Sequence, residues 1–388
     1  MNLAFYYHIP IIKKGDALYC PGFLGVFLDS LALEVSKLTL VMHESGYEQD
    51  SNYKLKQKNI SFVSLGKKMP AWNRILFHKS ILRDKLNSIK DCDIVLVRSP
   101  SPLAPYFKRY LKQTKLAYLV VGDYQEGAKL MKVSSFRDYV IKVFMMFNNY
   151  LLLNQLKSNY TIVNSRTLFE KYKKKCKNID LVKTTTLSKK DFFIREDTCL
   201  GEKTNLLYTG RIEWEKGLSE LIHAFSEIKT EYNNLHLNIV GWEDNIKKPV
   251  EIELKKISKK LNIEACITFH GFKSVGHELN EMYRMADIYI LPSYHEGFPR
   301  TIWEAMANSL PVISTSVGSI PLELENEIDA LIIKKKSAEE IKIAIEKIID
   351  NADLRKCLIK NGRIKAAQNT LEIQTKKLIH LLKIKTPF

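Results

Sequence analysis

Short hydrophobic runs alternate along this chain with amphipathic or polar segments of helix length. Such runs predict strands in the first half at 3–9, 38–44, 60–66, 93–99, 116–123 and 160–165. The same alternation predicts strands in the second half at 205–211, 236–242, 266–272, 287–293, 310–316 and 329–335. Strands that alternate with helices are typical of a parallel sheet covered on both faces. The pattern predicts an α/β protein with two Rossmann-like domains that face each other across a cleft.

Domain boundaries follow from where this periodicity weakens. Residues 184–203 are polar and weakly periodic, so we expect a linker there. A first domain is predicted at 1–183 and a second at 204–365. Residues 366–388 have the pattern of a terminal helix.

The charge of the chain is unevenly distributed. The 388 residues carry a formal net charge of +17, yet residues 1–190 alone carry +18 and residues 191–388 carry −1. A lysine-rich coding bias would load both halves similarly. The asymmetry predicts that the first domain faces something anionic, and a solvated lysine-rich surface is the alternative.

The most apolar stretch is 136–160, which Lys142, Asn148 and Asn149 interrupt. Its uninterrupted runs are too short for a transmembrane helix. Two interpretations stay open: a helix buried in the first domain, or an interfacial helix on a membrane, flanked by Arg137 and Lys157.

Six cysteines are scattered without a CxxC pair, which indicates reduced thiols in the cytoplasm and no zinc site. The first residues show no signal-peptide pattern. The triplet Asp91-Cys92-Asp93 has the spacing of a metal-binding DxD motif, but it precedes a predicted strand instead of following one. We interpret it as a strand-entry turn and expect no bound metal.

Two carboxylates are the strongest indication of chemistry. Glu296 and Glu304 stand eight residues apart, after the strand at 287–293. Gly297 and Pro299 between them break regular structure and prepare a helix start. The N–H groups of that start form an anion site, which suits a diphosphate flanked by hydroxyl-rich groups, as in a nucleotide sugar. Ordinary surface charges are the alternative.

A second turn carries two cations. Arg211 and Lys216 lie between the strand at 205–211 and the helix that follows it. Ligands bind at such turns in doubly wound folds, and cations there can neutralise a diphosphate. Surface salt bridges with Glu213 or Glu215 are the alternative.

These two segments carry a family resemblance. EGFPRTIWEAMANSLPVIST (296–315) resembles the E-x7-E signature of retaining glycosyltransferase family 4, part of the glycosyl transferases group 1, which have the GT-B fold. LLYTGRIEWEKGLSELIHAF (206–225) resembles that family's Gly-Arg and Lys-Gly turn. The resemblance covers 204–365, and residues 1–183 are similar only loosely.

The resemblance implies roles for the four charged residues. Glu296 would contact hydroxyls of the donor sugar near the anomeric carbon. Glu304 would bind the nucleotide ribose. Arg211 and Lys216 would stabilise the departing nucleoside diphosphate.

It also implies that the backbone of Gly297, Phe298 and Pro299 approaches the donor. Thr301 would either contact phosphate or cap its helix.

In the first domain, which the resemblance makes the acceptor-binding domain, Gly22 and Gly25 match the family's glycine-rich loop near the donor. The family's His-Asp step reads Gly122-Asp123 here, so a histidine is missing and Asp123 is left as the catalytic candidate at that place. Tyr124 or Glu126 would line the acceptor side.

The implied protein is a retaining, metal-independent glycosyltransferase without a cofactor beyond its UDP- or GDP-linked donor. Its acceptor would be a saccharide of a bacterial capsule, O-antigen or exopolysaccharide, free or linked to polyprenyl diphosphate. We expect it in the cytoplasm, peripheral on the anionic inner membrane surface. A nucleotide-sugar epimerase and a basic nucleic-acid-binding protein are the alternatives, although no nucleic-acid-binding module is evident and we expect no such partner.

Overall fold

The computed structural model describes residues 1–46, 53–131 and 133–386, with the side chains of Glu126 and Leu130 outside the description. The chain forms two compact units. Residues 1–184 and 372–388 make the first, and residues 185–371 make the second.

The first unit is built on a seven-stranded parallel sheet. Its strands, with those of a small antiparallel sheet, are β1 Asn2–Tyr6, β2 Ile12–Lys14, β3 Ala17–Cys20, β4 Lys37–Glu44, β5 Tyr53–Lys54, β6 Ile60–Lys67, β7 Ile94–Ser99, β8 Lys115–Val120, β9 Tyr160–Val163 and β10 Ile179–Leu181. The parallel sheet has the order β10-β9-β8-β7-β1-β4-β6, and β2, β3 and β5 form the antiparallel one. Strands β1 and β7 are therefore neighbours although they are far apart in the chain, which makes a topological switch point between them.

Helices cover this sheet. They are α1 Gly22–Leu33, α2 Ala71–Leu76, α3 His78–Asn87, α4 Phe107–Tyr110, α5 Tyr124–Leu130, α6 Phe136–Ser158 and α7 Arg166–Tyr172, and a short 3₁₀ helix spans Ala104–Tyr106. The terminal helix, Leu371–Lys385, packs in the same unit, where the hydroxyls of Ser30 and Thr375 lie 2.9 Å apart.

The second unit repeats the architecture with six parallel strands. They are β11 Thr204–Thr209, β12 Leu235–Val240, β13 Ile267–Gly271, β14 Ile288–Leu291, β15 Val312–Thr315 and β16 Leu331–Ile333. Their order is β13-β12-β11-β14-β15-β16. Strands β11 and β14 pair in register, with Leu206 opposite Ile288, so the switch point of this sheet lies at their carboxyl ends.

The helices of the second unit are α8 Leu218–Ile228, α9 Pro249–Lys260, α10 His277–Met285, α11 Arg300–Ala307, α12 Ile320–Glu323, α13 Ala338–Asp350 and α14 Ala352–Ala367, with 3₁₀ helices at Lys189–Asp191, Trp214–Lys216 and Glu264–Cys266. The terminal helix is therefore α15. Strand side chains such as Leu206 and Ile290 are fully buried beneath these helices, as are Leu221 and Phe225 of α8. Burial on both faces explains why the strands are continuous hydrophobic runs.

The predicted α/β class with two parallel sheets is confirmed, and each of the twelve predicted runs overlaps a strand. Residues 185–203 do not form the predicted linker, because they pack against the rest of the second unit. There the Phe193 N–H donates to the Ala307 carbonyl at 3.0 Å, and the Cys199 N–H donates to the Asp287 carboxylate at 2.9 Å.

Helix α6 has two different faces. Asn148, Asn149, Leu152 and Leu156 in its second half are buried, as the buried-helix interpretation expects. Another face of the helix exposes a row of apolar side chains, at Phe136, Tyr139, Val140, Val143, Met146, Phe147 and Tyr150. Their spacing of three and four residues places them on one face. Within the described residues, no helix is long and apolar enough to cross a membrane.

Candidate active site

Two loops meet at the switch point of the second sheet. The loop after β11 leads through Lys216 to α8, and the loop after β14 leads through Glu296 to α11. The Tyr294 N–H donates to the Glu215 carbonyl at 2.8 Å, which joins the loops through their backbones. A hydrogen bond of this kind fixes the register of the two loops, and so the positions of the side chains on them.

Gly217 allows the loops to approach this closely. Its φ is +68°, and a Cβ there would lie 2.1 Å from the Pro292 carbonyl oxygen. A side chain at this position would therefore be strained in its backbone and would collide with the facing loop. Glycine is the residue that permits the contact.

Lys216 and Glu296 form an ion pair across these loops. The Lys216 Nζ lies 2.6 Å from Glu296 Oε1, and the two side chains are only 14% and 13% exposed. Charges that are removed from water require a partner, so each residue keeps the other in place. The pair holds a cation and a carboxylate side by side where doubly wound folds bind ligands.

The segment after Glu296 is held rigidly. Gly318, at φ +58°, packs where a Cβ would lie 1.9 Å from the Glu296 carbonyl oxygen. The Ser319 N–H donates to the Gly297 carbonyl at 2.7 Å. The Phe298 ring stacks on the buried Trp303 ring with centroids 4.4 Å apart. The segment is thus fixed before any ligand arrives.

Helix α11 begins at this segment without a side-chain cap in the described structure. Pro299 is its N-cap residue, and its first turn contains no acidic side chain. The start of a helix carries the positive end of its dipole, which attracts anions. The cap role considered for Thr301 is wrong: its Oγ1 is buried and has no hydrogen-bond partner among the described residues.

Glu304 lies inside a buried network of hydroxyl groups. It is 8% exposed. Its Oε1 accepts from the Thr186 hydroxyl, and its Oε2 accepts from the Tyr283 hydroxyl at 2.9 Å. The Tyr283 and Thr209 hydroxyls are 2.7 Å apart. Burial and the charge of Glu304 hold the pKa of Tyr283 well above its usual range, so Tyr283 remains a donor.

Sequence analysis did not identify Thr186, Thr209 or Tyr283 as partners of Glu304. Tyr283 lies one turn before β14, and Thr209 ends β11. Thr209 could have been identified from the sequence, because it is a hydroxyl-bearing residue at the carboxyl end of a predicted strand. Thr186 lies 118 residues from Glu304 in the chain, and only the fold brings the two together.

Arg211 is more exposed than Lys216. Its guanidinium, 48% exposed, pairs with Glu213 at 2.8 Å and with Asp244 at 3.6 Å. Exposed ion pairs contribute little to stability, so this guanidinium can change partners when an anion binds. The Tyr208 hydroxyl donates to the Arg211 carbonyl at 2.7 Å and fixes the backbone of the turn.

The predicted residues of the first unit have structural contacts. Asp123 accepts from the Gln125 N–H at 2.7 Å as the N-cap of α5, and its buried carboxylate pairs with Lys171. Gly22 is the first residue of α1. Gly25 lies in the same helix, where a Cβ would be 2.1 Å from the ring of Tyr53. Ligand roles for these three residues stay predictions.

In the ranges that the structure describes, no group of three or more His, Cys, Asp or Glu side chains could hold a metal ion. Asp93 lies at the entry of β7, as its position in the sequence predicted, and its carboxylate accepts from the Asn2 N–H at 2.7 Å. Its contact is therefore one that positions a strand.

Solved structures with the same architecture define the fold class. Anabaena Alr3699/HepE in complex with UDP superposes with a TM-score of 0.73 at 14% identity, over 98% of this chain and 99% of that one. The protein has the GT-B fold. Residues 190–365 match the family described as glycosyl transferases group 1.

Two curated relatives add sequence similarity. The capsular polysaccharide biosynthesis glycosyltransferase CapM of Staphylococcus aureus is 29% identical over 168 residues, 43% of this chain and 42% of CapM. The N,N'-diacetylbacillosaminyl-diphospho-undecaprenol alpha-1,3-N-acetylgalactosaminyltransferase of Campylobacter jejuni is 28% identical over 173 residues, 45% of this chain and 42% of that enzyme. The chain thus spans about two fifths of the length of each of these relatives.

The contact at Gly217 can be separated from backbone strain with a matched glycine. Gly271 has nearly the same φ, +67°, but no atom within 4 Å of a Cβ built there. Gly217→Ala should lower the free energy of unfolding by about 1–3 kcal/mol more than Gly271→Ala, because only the former collides with a carbonyl. Urea denaturation of both variants measures the difference. Equal losses would show that the two loops do not depend on this contact.

Proposed function

We propose that this protein is a retaining, metal-independent glycosyltransferase of family 4, which transfers a sugar from a UDP- or GDP-linked donor to an acceptor hydroxyl. The observation that carries the proposal is the Lys216–Glu296 pair, 2.6 Å apart at the switch point, beside the uncapped start of α11. A solved structure of the same fold, Alr3699/HepE, contains UDP, which supports a nucleotide donor.

The ion pair suggests how the donor is bound. In the free protein, Glu296 neutralises Lys216. A donor diphosphate supplies the same negative charge, so it takes over Lys216 and receives the N–H groups of α11 and the guanidinium of Arg211. Glu296 is then released to accept hydrogen bonds from the sugar hydroxyls. Binding exchanges one compensated charge for another instead of creating a buried unpaired one.

The same groups would assist the reaction. The bond between the anomeric carbon and the diphosphate oxygen breaks, and charge accumulates on that oxygen. In this proposal, Lys216 and Arg211 stand where this charge develops, and preorganised groups of this kind are the most effective form of electrostatic catalysis. The acceptor oxygen attacks from the same face, and its proton passes to the departing diphosphate. No protein nucleophile is needed for retention by this route.

We propose Glu304 as the ribose-binding carboxylate. Its oxygens already accept hydrogen bonds from Thr186 and Tyr283. Each carboxylate oxygen has a further lone pair for a ribose hydroxyl. The hydroxyl network therefore orients Glu304 instead of blocking it. We keep Thr301 as a proposed phosphate contact; its Oγ1 is buried without a hydrogen-bond partner in the described structure.

The names of the relatives support an acceptor class. CapM is a capsular polysaccharide biosynthesis enzyme, and the name of the Campylobacter enzyme specifies a diphospho-undecaprenol substrate. We propose a saccharide acceptor of a bacterial surface polysaccharide, linked to polyprenyl diphosphate. Transfer is distinguished from epimerisation by its requirement for acceptor: sugar isomerisation without acceptor would favour the epimerase.

We further propose that the first unit attaches to the anionic inner surface of the cytoplasmic membrane. The charge of +18 over residues 1–190, most of which belong to this unit, supplies the attraction. The exposed apolar row of α6, from Phe136 (82% exposed) to Tyr150, supplies a face that would insert among lipid headgroups. Charge and apolar area together match a bilayer better than either would alone.

Lys216→Ala should lower the transfer rate by roughly 10²–10³, the scale for losing one preorganised electrostatic group. Steady-state transfer assays with the best donor measure this, and the donor is chosen by thermal-shift screening with UDP, GDP and their sugars. Lys256→Ala, on the surface of α9, is the matched control. Near wild-type transfer by a folded Lys216→Ala chain would refute the diphosphate contact.

Transfer should continue in excess EDTA. The reason is that Lys216, Arg211 and the start of α11 would do the work of a metal ion. Asp91→Asn and Asp93→Asn should leave the transfer rate nearly unchanged. The amide carbonyl of an asparagine at position 93 can still accept a hydrogen bond from the Asn2 N–H. Rates with and without chelator test this. Activity lost on chelation and restored by Mn²⁺ or Mg²⁺ would contradict metal independence.

Binding to anionic vesicles should be reversed by about 0.5 M salt, because each Lys or Arg near the surface contributes about 1 kcal/mol and the attraction is screened. Co-sedimentation of the full chain measures it. Phe136→Ser/Phe147→Ser should weaken binding, whereas Ile246→Ser, which changes an exposed apolar residue of the second unit, should not. Equal binding to neutral and anionic vesicles at low salt would refute the proposal.

A further inference from the structure

The first sheet has its own cluster of polar side chains at its switch point. Tyr6, the last residue of β1, is in register with Val41 of β4 and with Val97 of β7. His8 follows β1 by two residues, and His43 lies near the carboxyl end of β4. The two imidazoles therefore share the edge of the sheet where ligands bind in doubly wound folds.

Arg74 lies in α2, and its charge acts on both His8 and His43, so the three side chains are close to one another. Arg74 is 7% exposed, and its Nε and Nη1 are buried without a hydrogen-bond partner among the described residues. Three further polar atoms are buried without a hydrogen-bond partner among the described residues: His8 Nδ1, His43 Nε2 and Asn148 Oδ1. Buried polar atoms nearly always have partners, so a cluster of orphaned atoms at one place indicates a missing ligand.

The contrast with another buried arginine makes the point sharper. Arg355, 5% exposed, donates to the Asp197 carboxylate at 2.7 Å and 3.1 Å and to two carbonyl groups. Nε and Nη1 of Arg74 have no such carboxylate within the described structure. A buried guanidinium without a counter-charge costs several kcal/mol, and function is the usual reason to retain one.

The surroundings of the cluster are electropositive. The cations that act most strongly on His8 are Arg74, Arg98 and Lys68. Burial and these cations lower the pKa of His8 to about 4. Burial and Arg74 lower the pKa of His43 to about 4 as well. Both imidazoles are therefore neutral at pH 7 in the free protein, and each carries one N–H.

The two imidazoles differ in what they can offer an anion. His8 Nδ1 has no partner in the described structure, so it can carry the proton and donate directly. His43 Nδ1 lies 3.3 Å from the Gly66 carbonyl. His43 Nε2 can donate once the ring changes tautomer or takes up a proton, and an anion beside it favours both.

We propose that this cluster binds a phosphoryl group of the acceptor. Arg74 would pair with its oxygens, and His8 and His43 would each donate one hydrogen bond. The inference rests on the proposed function for its biological ligand, but the anion site itself stands on the first unit alone. A guanidinium beside two imidazole donors fits a multiply charged phosphate or diphosphate better than a neutral sugar.

A phosphoryl group could come from a lipid-linked diphosphate or from a soluble sugar phosphate. Isothermal titration of the full chain with inorganic pyrophosphate, glucose 1-phosphate and farnesyl diphosphate distinguishes them. Tightest binding of farnesyl diphosphate identifies a polyprenyl-linked acceptor, and tightest binding of glucose 1-phosphate identifies a sugar phosphate. Equal affinities would support recognition of the phosphoryl group alone.

Arg74→Met should weaken the tightest of these ligands about tenfold or more, the loss expected for a hydrogen bond to a charged group. Arg83→Met, on the exposed side of α3, should leave the affinity unchanged. UDP affinity should survive Arg74→Met and fall in Lys216→Ala. The free Arg74→Met chain should unfold at the same or a higher temperature than the wild type, because an uncompensated buried charge is removed.

The proposal is overturned if the wild-type chain binds UDP but none of the three anions. It is also overturned if the Arg74→Met chain binds these anions as tightly as the wild type does. A lower unfolding temperature of the Arg74→Met chain would overturn it too, because that result would make Arg74 structural. Failure of the proposed function is a different result. In that case the wild type binds no nucleotide, while the anion titrations still report on the Arg74 cluster.

Discussion

The close backbone contact between the loops after β11 and β14 is the constraint on which the candidate site depends. Gly217 lies against the Pro292 carbonyl, and the Tyr294 N–H bonds to the Glu215 carbonyl. These contacts place Lys216 and Glu296 within 2.6 Å of each other while both are largely removed from water. An ion pair in such surroundings is favourable only with good geometry, and rigid backbone contacts are what supply good geometry.

Much of the fold could be predicted from the hydrophobic pattern. Strands buried on both faces must be apolar throughout, so runs such as 93–99 and 287–293 are visible in the sequence. The short strands β2, β3 and β5 have too few residues to show a period. Pairing of distant segments is also hidden, which is why residues 185–203 looked like a linker although they pack on the second unit.

The site was predictable where chemistry requires a residue type at a chain position. Glu296, Lys216 and the start of α11 follow from turn residues and charges at strand ends. The partners of Glu304 were not predictable, because no local sequence pattern links a hydroxyl such as that of Thr186 to a distant carboxylate. Asp123 was named from the family resemblance, and in the free protein it caps α5 and pairs with Lys171, so its ligand role stays a prediction.

The two switch points treat buried positive charge in opposite ways. In the second unit, Lys216 is neutralised by a carboxylate of the same protein, so the proposed diphosphate would have to displace an existing partner. In the first unit, Arg74 is buried with Nε and Nη1 unpartnered among the described residues. A neutralised cation keeps the free protein stable and lets the ligand release a carboxylate for further contacts. An unneutralised cation instead lowers the stability of the free protein, and an anion that binds it recovers that free energy directly. The two proposed anion sites therefore differ in one respect, which is whether a carboxylate of the protein already neutralises the cation.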